Sequence, residues 1–199
     1  MKTGISILFI VSLFMVVSCS LTSNKIRHAR ILYEEAQLLS NQGRTNKALA
    51  KFEKSLALAK EVEFQAGAAH NLNEMAIIYS SKGDQAGARQ FLNEALEIYK
   101  ELEMNPEVSK CLNNIAISYT RERNFPETLK TYEELLEWDR ATHNDLGAGI
   151  TLNNMGLILE GHFDNQKQAR EYYLEALEIF ESLGKEKHIQ AVKKNLGEM

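Results

Sequence analysis

Paired cysteines, paired histidines and an excess of basic charge are all missing from this chain of 199 residues. The five histidines (His28, His70, His143, His162, His188) stand singly and no Cys-x-x-Cys occurs, so no zinc site is readable. A formal net charge of -4 argues against nucleic acid, which wants a basic surface. Gly147-Ala148-Gly149 lacks the third glycine and the preceding strand that a phosphate loop needs, and fits the opening of a helix. After the first seventeen residues no apolar run approaches the ~20 that a membrane-spanning helix requires. Glu94, Glu97, Glu101 and Glu103 fit a solvated helix face. The expectation is therefore a protein that is not an enzyme, with no cofactor, no metal and no small-molecule substrate.

What is present is a beat. Leu32/Ala36, Leu72/Ala76, Leu112/Ala116 and Leu152/Gly156 return every 40 residues, each placing an apolar residue four before a small one. Leu39, Tyr79, Tyr119 and Leu159 close the same face at i+7, which is helical spacing. A second amphipathic half follows in each unit: Ala48/Phe52/Ser55/Leu56, Ala88/Leu92/Ala95/Leu96, Thr128/Tyr132/Leu135/Leu136 and Ala169/Tyr173/Ala176/Leu177. Short polar turns separate the halves, with Gly83 suited to a left-handed helix end and Asp84 to the next N-cap. The two prolines, Pro106 and Pro126, each follow an asparagine closely, as expected in a first helical turn. Gly156 and Ala169 lie one residue further apart than their counterparts, which reads as an insertion in the turn. A fixed period of this length means one unit stacked on itself, and stacked units build a surface rather than a catalytic pocket.

The small, aromatic and small positions resemble the tetratricopeptide repeat, a helix–turn–helix unit. The family's usual tryptophan four before the small residue is leucine here, and the period exceeds the common 34 residues. In this the chain is similar to longer-repeat members such as kinesin light chains. The resemblance implies an all-α fold: an α-solenoid of four repeats (about 29–64, 69–104, 109–144 and 149–184) and a capping helix over 185–199. Ile189, Val192 and Leu196 supply the cap's apolar stripe, leaving Lys187, Lys193 and Lys194 wet.

The N-terminus reads as a targeting segment. Lys2 precedes an apolar core from Ile5 to Val17, too short to span, and Val16-Val17-Ser18-Cys19 resembles the bacterial lipobox. The expected organisation is a signal peptide over 1–18, a lipidated Cys19 with a short tether over 19–24, and the solenoid over 25–199. The resemblance implies a lipid-anchored protein of the bacterial cell envelope. Ser20 in place of aspartate is similar to lipoproteins of the outer membrane facing the periplasm, in a bacterium with two membranes. With Cys19 lipidated, Cys111 has no partner for an intrachain disulfide and reads as a packing residue. Lys25, Arg27, His28 and Arg30 lie beside the anchor, open to anionic headgroups or simply to solvent.

Asparagine carries the functional signal. Asn73, Asn113 and Asn153 stand three before the small residue, Asn114 and Asn154 two before it, with Glu74 replacing asparagine in the second unit. In tetratricopeptide arrays the first-half helices line the concave groove, and these positions resemble paired asparagines that grip an extended peptide backbone. A carboxamide offers a donor and an acceptor, matching a peptide group. The same side chains equally suit bonds between neighbouring helices, and both readings stand. Lys110 is the one lysine among the groove positions, a poor carboxylate clamp opposite Glu74. The implied partner is another protein or peptide, held by a scaffold in an envelope complex. Self-association, with the groove unused, is the competing class.

Overall fold

The computed structural model describes the backbone of residues 2–197 and the side chains of residues 20–197. Among the described residues there are nine helices and no strand. They are α1 (Lys2–Asn41), α2 (Thr45–Glu61), α3 (Gln65–Ser81), α4 (Gln85–Glu101), α5 (Asn105–Arg121), α6 (Phe125–Ala141), α7 (Asp145–Phe163), α8 (Gln166–Ser182) and α9 (Glu186–Gly197). They form two compact units, Met1–Gly83 with α1 to α3 and Asp84–Met199 with α4 to α9. Within each unit successive helices pack on one another, the arrangement of an α-solenoid closed by a C-terminal cap.

The 40-residue beat is a doubled one. Helices α2 to α6 and α8 are each 17 residues long. Most of the turns between helices span three residues, so the backbone repeats every half unit. Each turn has a left-handed residue: the middle one of the three-residue turns at Gly43, Glu63, Gly83, Glu103, Arg123, His143 and Gly184, and the first of the two-residue turn at Asp164. The residue after it closes a Schellman turn. Arg44, Phe64, Met104, Asn124, Asn144 and Lys185 donate their N–H groups to the carbonyl five residues back at 2.8–2.9 Å. Side chains then start the next helix, as Asp84 accepts from the Gly87 N–H at 2.8 Å and Asn144 from Gly147 at 3.2 Å.

The insertion in the fourth repeat is helical, contrary to its expected place in the turn. Helix α7 runs for 19 residues through Gly161, His162 and Phe163, and its turn shrinks to Asp164 and Asn165. A helix absorbs an added residue while keeping its backbone hydrogen bonds, and the His162 ring at its end stacks on Phe125 with centroids 3.6 Å apart. The expected tether is helical. Ser20 to Asn24 belong to α1, so at 1.5 Å per residue they reach only about 7 Å. The side chains of the signal segment and of Cys19 lie outside the described residues.

The periodic apolar positions form the core. In the first unit Leu32, Ala36, Ala48, Phe52, Leu72 and Ala76 are buried. In the second, Leu92, Leu112, Ala116, Tyr132, Leu152 and Tyr173 fill the same roles. Thr128 replaces a small residue without stranding its hydroxyl, which donates to the Asn124 carbonyl at 3.0 Å. Cys111 is buried with its Sγ donating to the Leu92 carbonyl at 3.1 Å, and burial pushes the thiol up to about 12. In α9, Ile189 and Val192 are buried, and Lys193 pairs with Glu181 at 3.1 Å.

Candidate functional site

The odd-numbered helices α1, α3, α5 and α7 are the first halves of the repeats. On each, the residues three before, two before and one after the small position share a face. The structure places a polar seam along it. In the first unit Tyr33, three before Ala36, donates to Glu74, two before Ala76, at 3.5 Å, while Gln37 Nε2 donates to the phenol at 3.0 Å. Burial, then the Glu74 carboxylate, push the Tyr33 phenol up to about 12. In the second unit Asn195 Nδ2 donates to Asn153 Oδ1 at 2.9 Å. Asn195 stands two before Gly197, so this bond repeats the register of the Tyr33–Glu74 contact one array end away in sequence.

The six expected groove residues therefore sit in different circumstances. Asn153 is held by Asn195, and Asn154 is hydrogen-bonded to the Tyr132 phenol, whose pKa burial raises. Asn73 on α3 and Asn113 and Asn114 on α5 are half-buried, and Lys110 is exposed. A peptide donor directed at Asn153 Oδ1 competes there with the Asn195 amide.

An apolar element of the same face escaped the sequence reading. The residue following the small position is Ile77, Ile117 and Leu157 in repeats two to four, with Ile77 46% and Leu157 44% exposed. The signal lay in the beat itself, since a branched aliphatic recurs immediately after the packing residue. In the second unit Ile117 and Leu157 thus accompany Asn113, Asn114 and Lys110 on α5 and Asn153 and Asn154 on α7. Amides for a backbone and aliphatics for side chains make a surface suited to another polypeptide.

Charge pairs tie the even-numbered helices to one another. Lys100 on α4 meets Glu134 on α6 at 3.1 Å, and Arg140 on α6 pairs with Glu175 on α8. Arg89 is better housed, 2.8 Å from Glu122 and 4.3 Å above the Tyr119 ring. Beside the expected membrane end, Lys25 pairs with Glu61 at 2.6 Å and Arg30 lies 5.3 Å over the Phe64 ring. Among the described residues no group of three His, Cys, Asp or Glu side chains is placed to hold a metal, and no helix is long and apolar enough to cross a membrane.

The tetratricopeptide-repeat family model matches residues 27–101 and 108–182. The chain belongs to the tetratricopeptide-repeat family. Among solved structures it is similar to aspartyl phosphate phosphatase F from Bacillus subtilis, with a TM-score of 0.74 at 18% identity over 94% of this chain and 50% of that one. NprR in complex with its cognate peptide NprX gives a TM-score of 0.57 at 27% identity, covering 87% of this chain and 52% of that one. BtubC (BKLC) from P. vanneervenii gives 0.55 at 21% identity, covering 88% and 84%. The tetratricopeptide chain thus spans about half the length of the first two. No curated protein sequence matches it. Of these, the NprR structure is a complex with a peptide.

Proposed function

We propose that this tetratricopeptide chain is a non-enzymatic scaffold, lipid-anchored through Cys19, that holds an extended segment of an envelope protein on its first-half helices. The observation that carries the binding role is the inner face of α5 and α7, where exposed Leu157 and half-buried Ile117 lie among Asn113, Asn114, Asn153 and Asn154. NprR, of similar fold, is seen in complex with its cognate peptide NprX, which supports a peptide rather than a folded surface as the ligand. Each amide contributes about 1 kcal/mol net, so several in register are needed. The anchor rests on the Val-Val-Ser-Cys pattern alone, and the envelope location follows from it.

Two experiments test the parts separately. Cys19→Ala is expected to abolish lipid labelling and membrane attachment, and continued lipid incorporation refutes the anchor. Asn114→Ala with Asn154→Ala is expected to weaken partner capture in cells by about tenfold with little loss of helicity. Normal capture by an early-melting double variant instead makes those amides structural.

A further inference from the structure

Helix α1 opens the array with no second-half helix before it, and its free edge is apolar at positions that the later repeats cover. Counted from the small residue of each repeat, the residue five before it faces the preceding second-half helix. Asn71 there donates to Ser55 on α2 at 3.0 Å, and Cys111 to the Leu92 carbonyl on α4 at 3.1 Å. The residue two after the small one faces the same way, since Ser118 accepts from Arg89 on α4 at 3.2 Å. Both positions are buried in α3, α5 and α7. In α1 they are Ile31 and Leu38, 45% and 60% exposed. Leu21 extends the stripe towards the N-terminus at 57% exposure. The covered seams tolerate asparagine and serine at these positions, whereas the uncovered edge carries aliphatics.

The other end of the chain is finished differently. In α9 the position four before the small residue, a buried leucine in all four repeats, is Lys193, which pairs with Glu181 at 3.1 Å. The position seven before it is exposed Gln190. A polar face of this kind closes an array, and it makes a poor seat for the aliphatics of α1. Head-to-tail stacking of copies is therefore disfavoured, and the apolar surface that fits this edge is the same edge of a second copy.

The charges on the edge are self-complementary. Leu21, His28 and Glu35 recur at seven-residue spacing, as do Asn24, Ile31 and Leu38, so the two rows form one seam. Arg27 and Glu34 stand seven apart on one flank of it, and among the described residues neither has a partner. Two antiparallel α1 helices with a two-fold axis close to Arg30 bring Leu21 beside Leu38 of the second copy, Ile31 beside its His28, and Arg27 beside its Glu34. Each pair is made twice. A parallel pair instead sets His28 against His28 and Glu35 against Glu35, with no carboxylate against Arg27.

We propose that the free edge of α1 pairs antiparallel with the same edge of a second copy, making the chain a two-fold dimer. None of these residues is one of the six groove residues, so the dimer does not depend on the extended-segment reading.

Sedimentation velocity of the full-length chain in detergent micelles, from about 1 to 100 μM, tests it, and a monomer–dimer equilibrium is expected in that range. Ile31→Glu, at an exposed position, should leave the helicity unchanged and weaken the dimer by about tenfold or more. Arg27→Glu and Glu34→Arg should each weaken self-association by about tenfold, because each sets like charges together twice. Mixed with one another, these two variants should form a heterodimer about as tight as the unmodified dimer, since every facing pair is again of opposite sign. A monomer throughout the range overturns the proposal and leaves the edge to a different polypeptide. A dimer that Ile31→Glu leaves intact, or charge-reversed variants whose mixture associates no better than either alone, overturns it as well.

Discussion

Gly156→Ala should destabilise this protein although it places the best helix former inside a helix. In an open helix the change is worth about 1 kcal/mol in favour of alanine. Here an added Cβ would lie 2.5 Å from Tyr173 Cε1, 2.8 Å from Cδ1 and 2.9 Å from Cζ, closer than packed carbon atoms sit. Tyr173 cannot swing away cheaply, because its side chain is 0% exposed and its hydroxyl donates to Glu160 at 2.9 Å. Overpacking of this kind costs about 1–3 kcal/mol, so the net expectation is a loss of about 1 kcal/mol and a fall in Tm of about 2–4 °C. Gly161 supplies the control on the same helix: nothing lies within 4 Å of its Cβ position, so Gly161→Ala should raise Tm by a similar amount. Thermal unfolding by circular dichroism reads both. Adding Tyr173→Leu, the residue type of Leu92, should show a favourable coupling of about 1 kcal/mol in a double-mutant cycle. If Gly156→Ala stabilises as Gly161→Ala does, the close ring contact is refuted.

At the left-handed turns Glu103→Gly and Arg123→Gly should each stabilise by about 0.5 kcal/mol, since relief of about 1–2 kcal/mol at positive φ exceeds the added backbone entropy, while Gly43→Ala should cost about 1 kcal/mol; urea midpoints at unchanged slope check the sign. Cys111 should resist thiol reagents at neutral pH in the native state and react only on unfolding. Because its folded pKa is raised to about 12, the stability that it lends is fully present below the unfolded thiol's value near 8.5 and is lost as pH rises from there towards 12, which denaturation midpoints across pH 8–11 would show. Ser109→Ala should cost about 1.5–3 kcal/mol by removing the 2.6 Å bond to buried Asp139, which then keeps the Asn144 amide at 2.8 Å; an unchanged Tm contradicts the pairing.

Most of the fold was legible because close packing imposes period on sequence. Leu32, Leu72, Leu112 and Leu152 repeat because each fills the same hole, and Ala36, Ala76, Ala116 and Gly156 because each meets a neighbouring helix at the same depth. The half-unit turn repeat was not legible, since its central residue is Gly, Glu, Arg, His or Asp. A Schellman turn constrains φ and backbone bonding, and solvent-exposed side chains of any kind can meet that at a modest cost. The α7 insertion was misplaced for a related reason: spacing counts residues but does not say whether a helix or its turn takes up the extra one.

The asparagines were legible as a pattern but ambiguous in role, and the seam explains why. One carboxamide satisfies either a partner's backbone or the adjacent helix, and the Asn153–Asn195 bond shows that the second use is geometrically available. The two uses make opposite predictions for Asn195→Ala. If Asn153 also grips a bound segment, removing Asn195 removes an internal competitor worth about 1 kcal/mol, and capture of the partner should rise severalfold even as α9 loosens. If Asn153 only joins α7 to α9, the variant should melt lower with capture unchanged. Crosslinking yield in cells from exposed Lys110, read beside Tm, separates them. A lower Tm with no gain in yield removes Asn153 from the binding face and leaves Asn113, Asn114, Ile117 and Leu157 to carry it.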